Sequence, residues 1–286
     1  MREGPLEITD LLWHAEDGIR SPVRQADVVR LLRERGQRRA ARIVAALPSS
    51  GGDLDQDAVD ALGLRVHREL SRLGEELQLA HRVAATVEQL IARRGLAERP
   101  VRLLDVGCGL GHVLRTIAVH RLLPAHVELV GADLNPVLIA EAEHLAAREA
   151  PGVRFAAVDA FEPGTLVTDG SETVVVSTGV LHHVAPEELA TFFSAHTALG
   201  VAAFAHWDIA PCRWSTLGAW VFHRARMREA VSRHDGVLSA RRAHAGATLL
   251  RAAVEGADGY DITVDEGGRW HPRALDVLRP IVGIRR

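Results

Sequence analysis

The chemistry of this chain concentrates where short apolar runs end in polar residues. Leu103-Leu104-Asp105-Val106-Gly107-Cys108-Gly109-Leu110-Gly111-His112 reads as a strand ending in an acid, a turn with glycine at alternate positions, and a helix start. A Cβ in such a turn would block the approach of backbone to a ligand and forbid positive φ. The first N–H groups of the following helix face the same place. Two further acids repeat the pattern, Asp133 after Val127–Ala132 and Asp159 after Val153–Val158. Asp133, 22 residues beyond Gly111, is placed to accept hydrogen bonds from two ribose hydroxyls. Asp159 could accept from a purine's exocyclic amine, with Phe161 or Leu134 against the ring. The set calls for a nucleoside-like ligand.

A dinucleotide would also want a glycine turn and a ribose acid. Its fingerprint, however, carries glycine at the sixth position of the turn, where helix and strand pack closely. Counting from Gly107, that position is His112. Asp105 would sit awkwardly beside a pyrophosphate but suits an ammonium group. An α-amino acid joined to an adenosine meets these demands better.

The elements that must position these residues follow from hydrophobic periodicity. After Pro100, short apolar runs alternate with helical patterns, the signature of a parallel α/β sheet. Strands are expected at 101–106, 127–132, 153–158, 173–177 and 201–207, with a last pair at 260–265 and 278–285. Helices are expected at 111–120, 136–148 and 186–199. Residues 211–234, with Trp214, Trp220, Phe222 and Met227, read as an inserted helix whose aromatics pack on the sheet. Ahead of the sheet, 1–98 reads as a helical extension. It holds one helix over Asp27–Leu47 and one amphipathic helix over Arg65–Arg94, marked by Leu70, Leu73, Leu77, Ala80, Ala84, Val87 and Ile91. The arginine-rich stretch Arg33–Arg42 reads as a solvated face, because acids lie nearby and no aromatics interleave.

Leu104-Asp105-Val106-Gly107-Cys108-Gly109-Leu110-Gly111, Gly131-Ala132-Asp133-Leu134, Val158-Asp159-Ala160 and Val174-Val175-Val176-Ser177 resemble the successive motifs of class I S-adenosylmethionine-dependent methyltransferases, over roughly 100–210. The resemblance implies a Rossmann-like, seven-stranded, mostly parallel sheet with helices on both faces. It would form a cofactor-binding domain over 99–286, the 1–98 extension and a 211–245 cap serving as a lid over the acceptor. It also implies S-adenosyl-L-methionine as cofactor and S-adenosyl-L-homocysteine as product. Asp105 and the turn Gly107, Cys108, Gly109 and Gly111 would hold the methionyl part, Asp133 the ribose, Leu134 the adenine face, and Asp159 with Ala160 the adenine amine. Ser177, which closes the fourth motif, joins this set.

A base is needed only where the acceptor must lose a proton, as a hydroxyl does. Thr178-Gly179-Val180-Leu181-His182-His183-Val184 puts His182 and His183 past the fourth strand, and methyltransferases of small molecules carry a similar Leu-His-His segment. Either could be the base; in a chain with 15 histidines, both could equally be structural or line the site. At the end of the fifth strand, His206 with Asp208 could form a base and its orienting partner, or merely a strand terminus with Trp207 packed beneath the insertion. The segment Arg233-His234-Asp235-Gly236 through His244 reads more readily as a helix cap and restart than as part of an acceptor mouth.

Absences narrow the acceptor. No Asn/Asp-Pro-Pro-aromatic segment follows Ser177, as base-methylating nucleic-acid enzymes commonly have, and the paired-glutamate loop of protein arginine methyltransferases is missing. Adjacent His182 and His183 are expected to diverge, and no cluster has metal-ligand spacing, so no metal is expected. A net charge of −3 gives no general attraction to nucleic acid. No apolar run is long enough for a membrane span, and the N-terminus lacks a signal-peptide pattern. With only Cys108 and Cys212, well separated, a cytoplasmic protein with reduced thiols is expected. All basic residues are arginine, which excludes lysine Schiff-base chemistry. What remains is methyl transfer to a small organic acceptor, O-methylation of a hydroxyl or carboxyl in specialised metabolism being favoured, with a homodimer open. The rival readings are a non-catalytic cofactor-binding assembly partner and, less favoured, a nicotinamide-dependent oxidoreductase.

Overall fold

The computed structural model describes residues 5–13, 15–16, 19–167, 171–211, 215–264 and 277–286. Its contacts divide the chain into two compact units, Met1–Leu70 with Cys212–Arg242, and Ser71–Pro211 with Ala243–Arg286. The division falls at Leu70 rather than at residue 98, because the helix over Leu79–Arg93 buries Val83, Val87, Leu90 and Ile91 in the same cluster as the sheet residues Leu103 and Val174.

In chain order, the first unit contains α1 (Gln25–Glu34), α2 (Arg38–Ala45) and most of α3 (Gln56–Glu76). The expected helix over Asp27–Leu47 is thus two, broken at Gly36, whose φ of 72° no helix accommodates. Its core gathers Ile8, Leu32, Val44 and Leu62. Within the arginine-rich stretch, Arg33, Arg38, Arg39 and Arg42 are exposed, as a solvated basic face requires.

The second unit begins with α4 (Leu79–Arg93). The expected single helix over Arg65–Arg94 breaks before it at Gln78, which lies in the left-handed region (φ 52°). Then follow β1 (Val101–Val106), α5 (His112–His120), β2 (Val127–Asp133), α6 (Pro136–Glu149), β3 (Arg154–Ala157), β4 (Glu172–Thr178), α7 (Leu189–Thr197) and β5 (Ala203–Ile209). The insertion is two helices of the first unit, α8 (Ser215–Arg226) and α9 (Ala230–Arg242), rather than one. Trp220 is about half exposed, and Trp214 and Cys212 lie outside the described residues. Finally α10 (Gly246–Gly256), which the sequence reading lacked, leads to β6 (Tyr260–Val264) and β7 (Leu278–Arg285).

The sheet order is β6-β7-β5-β4-β1-β2-β3, with β7 antiparallel to both neighbours and the other pairs parallel. Strand alternation separates two cores. Leu103, Val174, Val176, Ala203 and Trp207 meet α4, α5 and α6 on one face, while Leu104, Val175 and Phe204 meet α7 and α10 on the other. Two-sided burial explains why these strands read as unbroken apolar runs. Among the described residues, no helix is long and apolar enough to cross a membrane.

α7 and α10 touch through backbone. A Cβ on Gly256 would lie 2.0 Å from the Ala190 carbonyl oxygen, and the Thr197 hydroxyl donates to the Gly256 carbonyl at 3.1 Å. Gly256→Ala should therefore cost about 1–3 kcal/mol of stability through overpacking. Urea denaturation reads it directly, and an unchanged midpoint would mean the two helices part freely.

Candidate active site

The strand order reverses between β1 and β4, and in open parallel sheets ligands bind beyond the carboxyl ends of the strands at such a point. β1 is buried throughout and delivers Asp105 there, 1% exposed, with its Oδ1 lacking any hydrogen-bond partner. Burial, and secondarily the nearby Asp133 charge, push the Asp105 carboxyl up to about 8. The turn that follows is held at positive φ by Gly107, Gly109 and Gly111 (70°, 54° and 65°). A Cβ on Gly111 would meet the Phe155 ring at 2.3 Å.

The turn is pinned from β2. The Gly109 N–H donates to Asp133 Oδ2 (2.9 Å), and the Asn135 N–H donates to Asp133 Oδ1 (3.0 Å). Asn135 in turn caps α6, accepting from the Val137 N–H at 2.9 Å ahead of a first-turn proline. Each Asp133 oxygen thus keeps acceptor capacity for a further donor. Leu134 stands beside it, more than half exposed. The Cys108 thiol is pushed up by burial and then by Asp105 and Asp133, so it stays un-ionised and serves as part of the turn. At the end of β3, Asp159 is exposed. Its Oδ1 accepts from the Phe161 N–H (2.9 Å), and the Ala160 carbonyl accepts from His196 Nε2 (2.9 Å).

Past β4, residues Leu181–His183 form one 3-10 turn. His244 Nε2 donates to the carbonyls at either end of it, Leu181 (3.0 Å) and Val184 (3.1 Å). The His182 N–H donates to Asp208 Oδ2 and its Nδ1 to Asp208 Oδ1, both at 2.8 Å. Burial alone would raise the Asp208 carboxyl. The His182 imidazole, by charge and hydrogen bond, together with the Ile209 and His182 N–H groups, outweighs that and holds it below the usual range. Asp208 is therefore ionised, His182 carries its proton on Nδ1, and Nε2 is the basic nitrogen. The rings of His182 and His183 lie side by side, centroids 4.2 Å apart; the expectation that they diverge fails because a 3-10 turn, not a strand, carries them.

Three expected assignments change. His206 and Asp208 share a face, being two apart on β5, yet Asp208 belongs to His182. His206 is fully buried, its Nδ1 is 2.9 Å from Ser177 Oγ, and its ring lies among Phe192, Phe193 and Phe204. Burial, then His196, depress its basicity well below the ordinary range, so it is no base for an acceptor. Ser177 is equally buried and bound to His206, so its side chain cannot face a cofactor. Finally, α9 runs uninterrupted through Asp235, and the break and restart fall later, at residues 243–245 between its end at Arg242 and the start of α10 at Gly246. The Asp235 carboxylate accepts from the Ile8 and Thr9 N–H groups (both 2.9 Å), the Thr9 hydroxyl (3.0 Å) and His234 Nδ1 (2.7 Å), all within the first unit.

The sequence reading missed Asp208 as the partner of His182, and His244 as the clamp on the turn. The period of two on β5 puts Asp208 at the strand end, but the choice between two histidines depends on the turn conformation. His244 closes the segment read as a helix cap and restart, and that reading gave it no contact with the turn after β4.

Residues 103–199 match the family described as "Methyltransferase domain". No curated protein matches the chain in sequence. Among solved structures, the plantazolicin methyltransferase BamL aligns with a TM-score of 0.56 at 12% identity, over 77% of this chain and 90% of its own. Magnesium protoporphyrin IX methyltransferase (ChlM) from Synechocystis PCC 6803 aligns at 18% identity over 95% of this chain and 99% of its own, with a TM-score of 0.46. The glycine turn, the acids at successive strand ends and the 3-2-1-4-5-7-6 sheet together define a class I S-adenosylmethionine-dependent methyltransferase domain. Residues 103–199 are thus a methyltransferase domain, and the motifs they carry resemble those of the S-adenosylmethionine-dependent class.

The residues present fit that donor. Asp105 Oδ1, buried and without a partner, is an acceptor that an α-ammonium would satisfy, beside a turn that side chains would fill. In the ligand-free protein, a carboxyl raised from 3.8 to about 8 lends stability below pH 4 that is lost as pH rises toward 8. Asp105→Asn should flatten this dependence. Melting temperatures of the ligand-free proteins between pH 5 and 8 check it, and parallel curves would show that Asp105 is ionised throughout.

Proposed function

We propose that this enzyme methylates an oxygen of a small organic acceptor, a hydroxyl or a carboxyl group, with His182 as general base where a hydroxyl must lose its proton. The observation that carries this reading is the buried Asp208–His182 pair at the adjoining ends of β4 and β5. When bound, S-adenosylmethionine supplies a methyl group already activated by its sulfonium. The chain's task is then alignment and, for a hydroxyl, proton removal. His182 Nε2 takes the hydroxyl proton. Asp208 fixes the tautomer that leaves Nε2 bare, and its charge stabilises the imidazolium that results. The His244 clamp keeps the turn, and with it the imidazole, from drifting.

For the cofactor, Asp105 would take the methionyl ammonium against the turn of Gly107, Cys108, Gly109 and Gly111. Asp133 would accept from the ribose hydroxyls, Leu134 would lie on the adenine face, and Asp159 with the Ala160 backbone would read the adenine edge. The spare acceptor capacity of Asp133 and the exposed Leu134 support this order.

Mass shifts after incubation with S-adenosylmethionine and a panel of hydroxylated and carboxylated small molecules test the acceptor class; products methylated only on nitrogen or carbon would overturn it. His182→Ala should lower turnover roughly 10²–10⁴-fold while leaving the affinity for S-adenosylhomocysteine within about twofold. Asp208→Asn should cut turnover in the same direction. A loss under tenfold for His182→Ala would return that residue to a structural role. Asp133→Ala should weaken S-adenosylhomocysteine binding by about 1.5–3 kcal/mol. Titration calorimetry measures this, and unchanged affinity would mean the ribose lies elsewhere.

A further inference from the structure

α7 carries a histidine that the methyl-transfer reading does not use. His196 is fully buried in its last turn, and its one hydrogen bond, from Nε2, goes to the Ala160 carbonyl 36 positions earlier in sequence. A carbonyl only accepts, so Nε2 carries the proton and Nδ1 is bare. Nδ1 is buried without a partner, a cost the fold accepts only if the other nitrogen is worth more. Burial lowers the His196 imidazole to about 4, so the ring is neutral at physiological pH and a fixed single donor.

The same loop is held a second way. The Phe161 ring stands edge-on to Phe192 at 5.5 Å, and Phe192 stands edge-on to His196 at 4.6 Å. Behind them His206 lies 5.2 Å from Phe192 and 5.4 Å from His196, and is anchored to Ser177. The loop after β3 therefore leans on a buried wall of rings rooted in β4 and β5, through one hydrogen bond and one aromatic contact. Just ahead of those two attachments the Asp159 carboxylate is oriented by the Phe161 N–H.

We propose that His196 is a positioning residue for cofactor selectivity: by holding the Ala160 carbonyl, it sets the loop that presents Asp159 and the Ala160 N–H to the adenine edge. It touches no reacting atom. Adenine offers a 6-amino donor and an N1 acceptor, and hypoxanthine reverses both. A correctly held loop therefore discriminates between them, and a loosened one does not.

The proposal rests on the reading that this loop receives adenine, and one set of titrations separates the two. The affinities of the full-length protein for S-adenosylhomocysteine and for its hypoxanthine analogue, S-inosylhomocysteine, are measured in wild type, Asp159→Ala, His196→Phe and His196→Gln. Wild type should prefer the adenine compound tenfold or more, and Asp159→Ala should lose most of that preference. If it does not, the adenine reading of the loop falls. His196→Phe keeps a ring against Phe192 but leaves the Ala160 carbonyl without its donor. It should weaken the adenine compound about tenfold and the hypoxanthine compound less than twofold, while His196→Gln, which retains an N–H donor, should recover most of the preference. A His196→Phe protein with wild-type preference overturns the proposal, as does an equal loss for both compounds, which is the mark of general destabilisation. Should His196→Phe not fold, His196→Asn, whose amide is too short to reach the carbonyl, takes its place beside His196→Gln with the same expected contrast.

Discussion

A parallel sheet covered on both faces brings every strand out of an apolar interior at one edge, so polar groups at that edge must find partners among the neighbouring strand ends and turns or none at all. The carboxylates here show the range of outcomes. Asp133 is met by two backbone N–H groups and stays ready for more donors. Asp208 is met by an imidazole and by backbone, and is driven to ionise despite full burial. Asp105 has an oxygen that meets nothing and is driven the other way. The differences lie in the surroundings, since the residue type is the same. They separate a group that pins a turn, a group that orients an imidazole and a group with an oxygen left open.

The histidines divide on the same principle. His206 and His196 lie inside the aromatic layer and lose their basicity to burial, whereas His182 is buried with its Nδ1 proton given to the Asp208 carboxylate. His244 works through a donor shared between two carbonyls. None of these roles follows from the residue's name.

Much of the frame was legible in the sequence. The glycine turn, the acids that close β1, β2 and the β3 loop, and all seven strand positions within about two residues were readable because a two-sided strand is a plain apolar run and a ligand turn needs glycine. The helix breaks were not. Gln78 takes a left-handed conformation that its type does not announce, and Gly36 is one glycine among 25. The pairing of Asp208 also escaped, because it depends on a 3-10 turn after β4 meeting the end of β5, a contact between segments 26 residues apart. Sequence spacing favoured His206 for that carboxylate; the strand buries His206 among Phe192, Phe193 and Phe204 instead.

The raised carboxyl of Asp105 has a consequence for how the site is filled. If it takes the methionyl ammonium, an empty pocket near neutral pH holds a proton where the occupied one holds a cation, so loading is an exchange of one positive charge for another. The Asp105 carboxyl then never stands as a bare anion. Such an exchange ties occupancy to acidity, with affinity falling up to about tenfold for each pH unit below the carboxyl's own midpoint. The methyl donor would thus compete with hydrogen ions for its own seat.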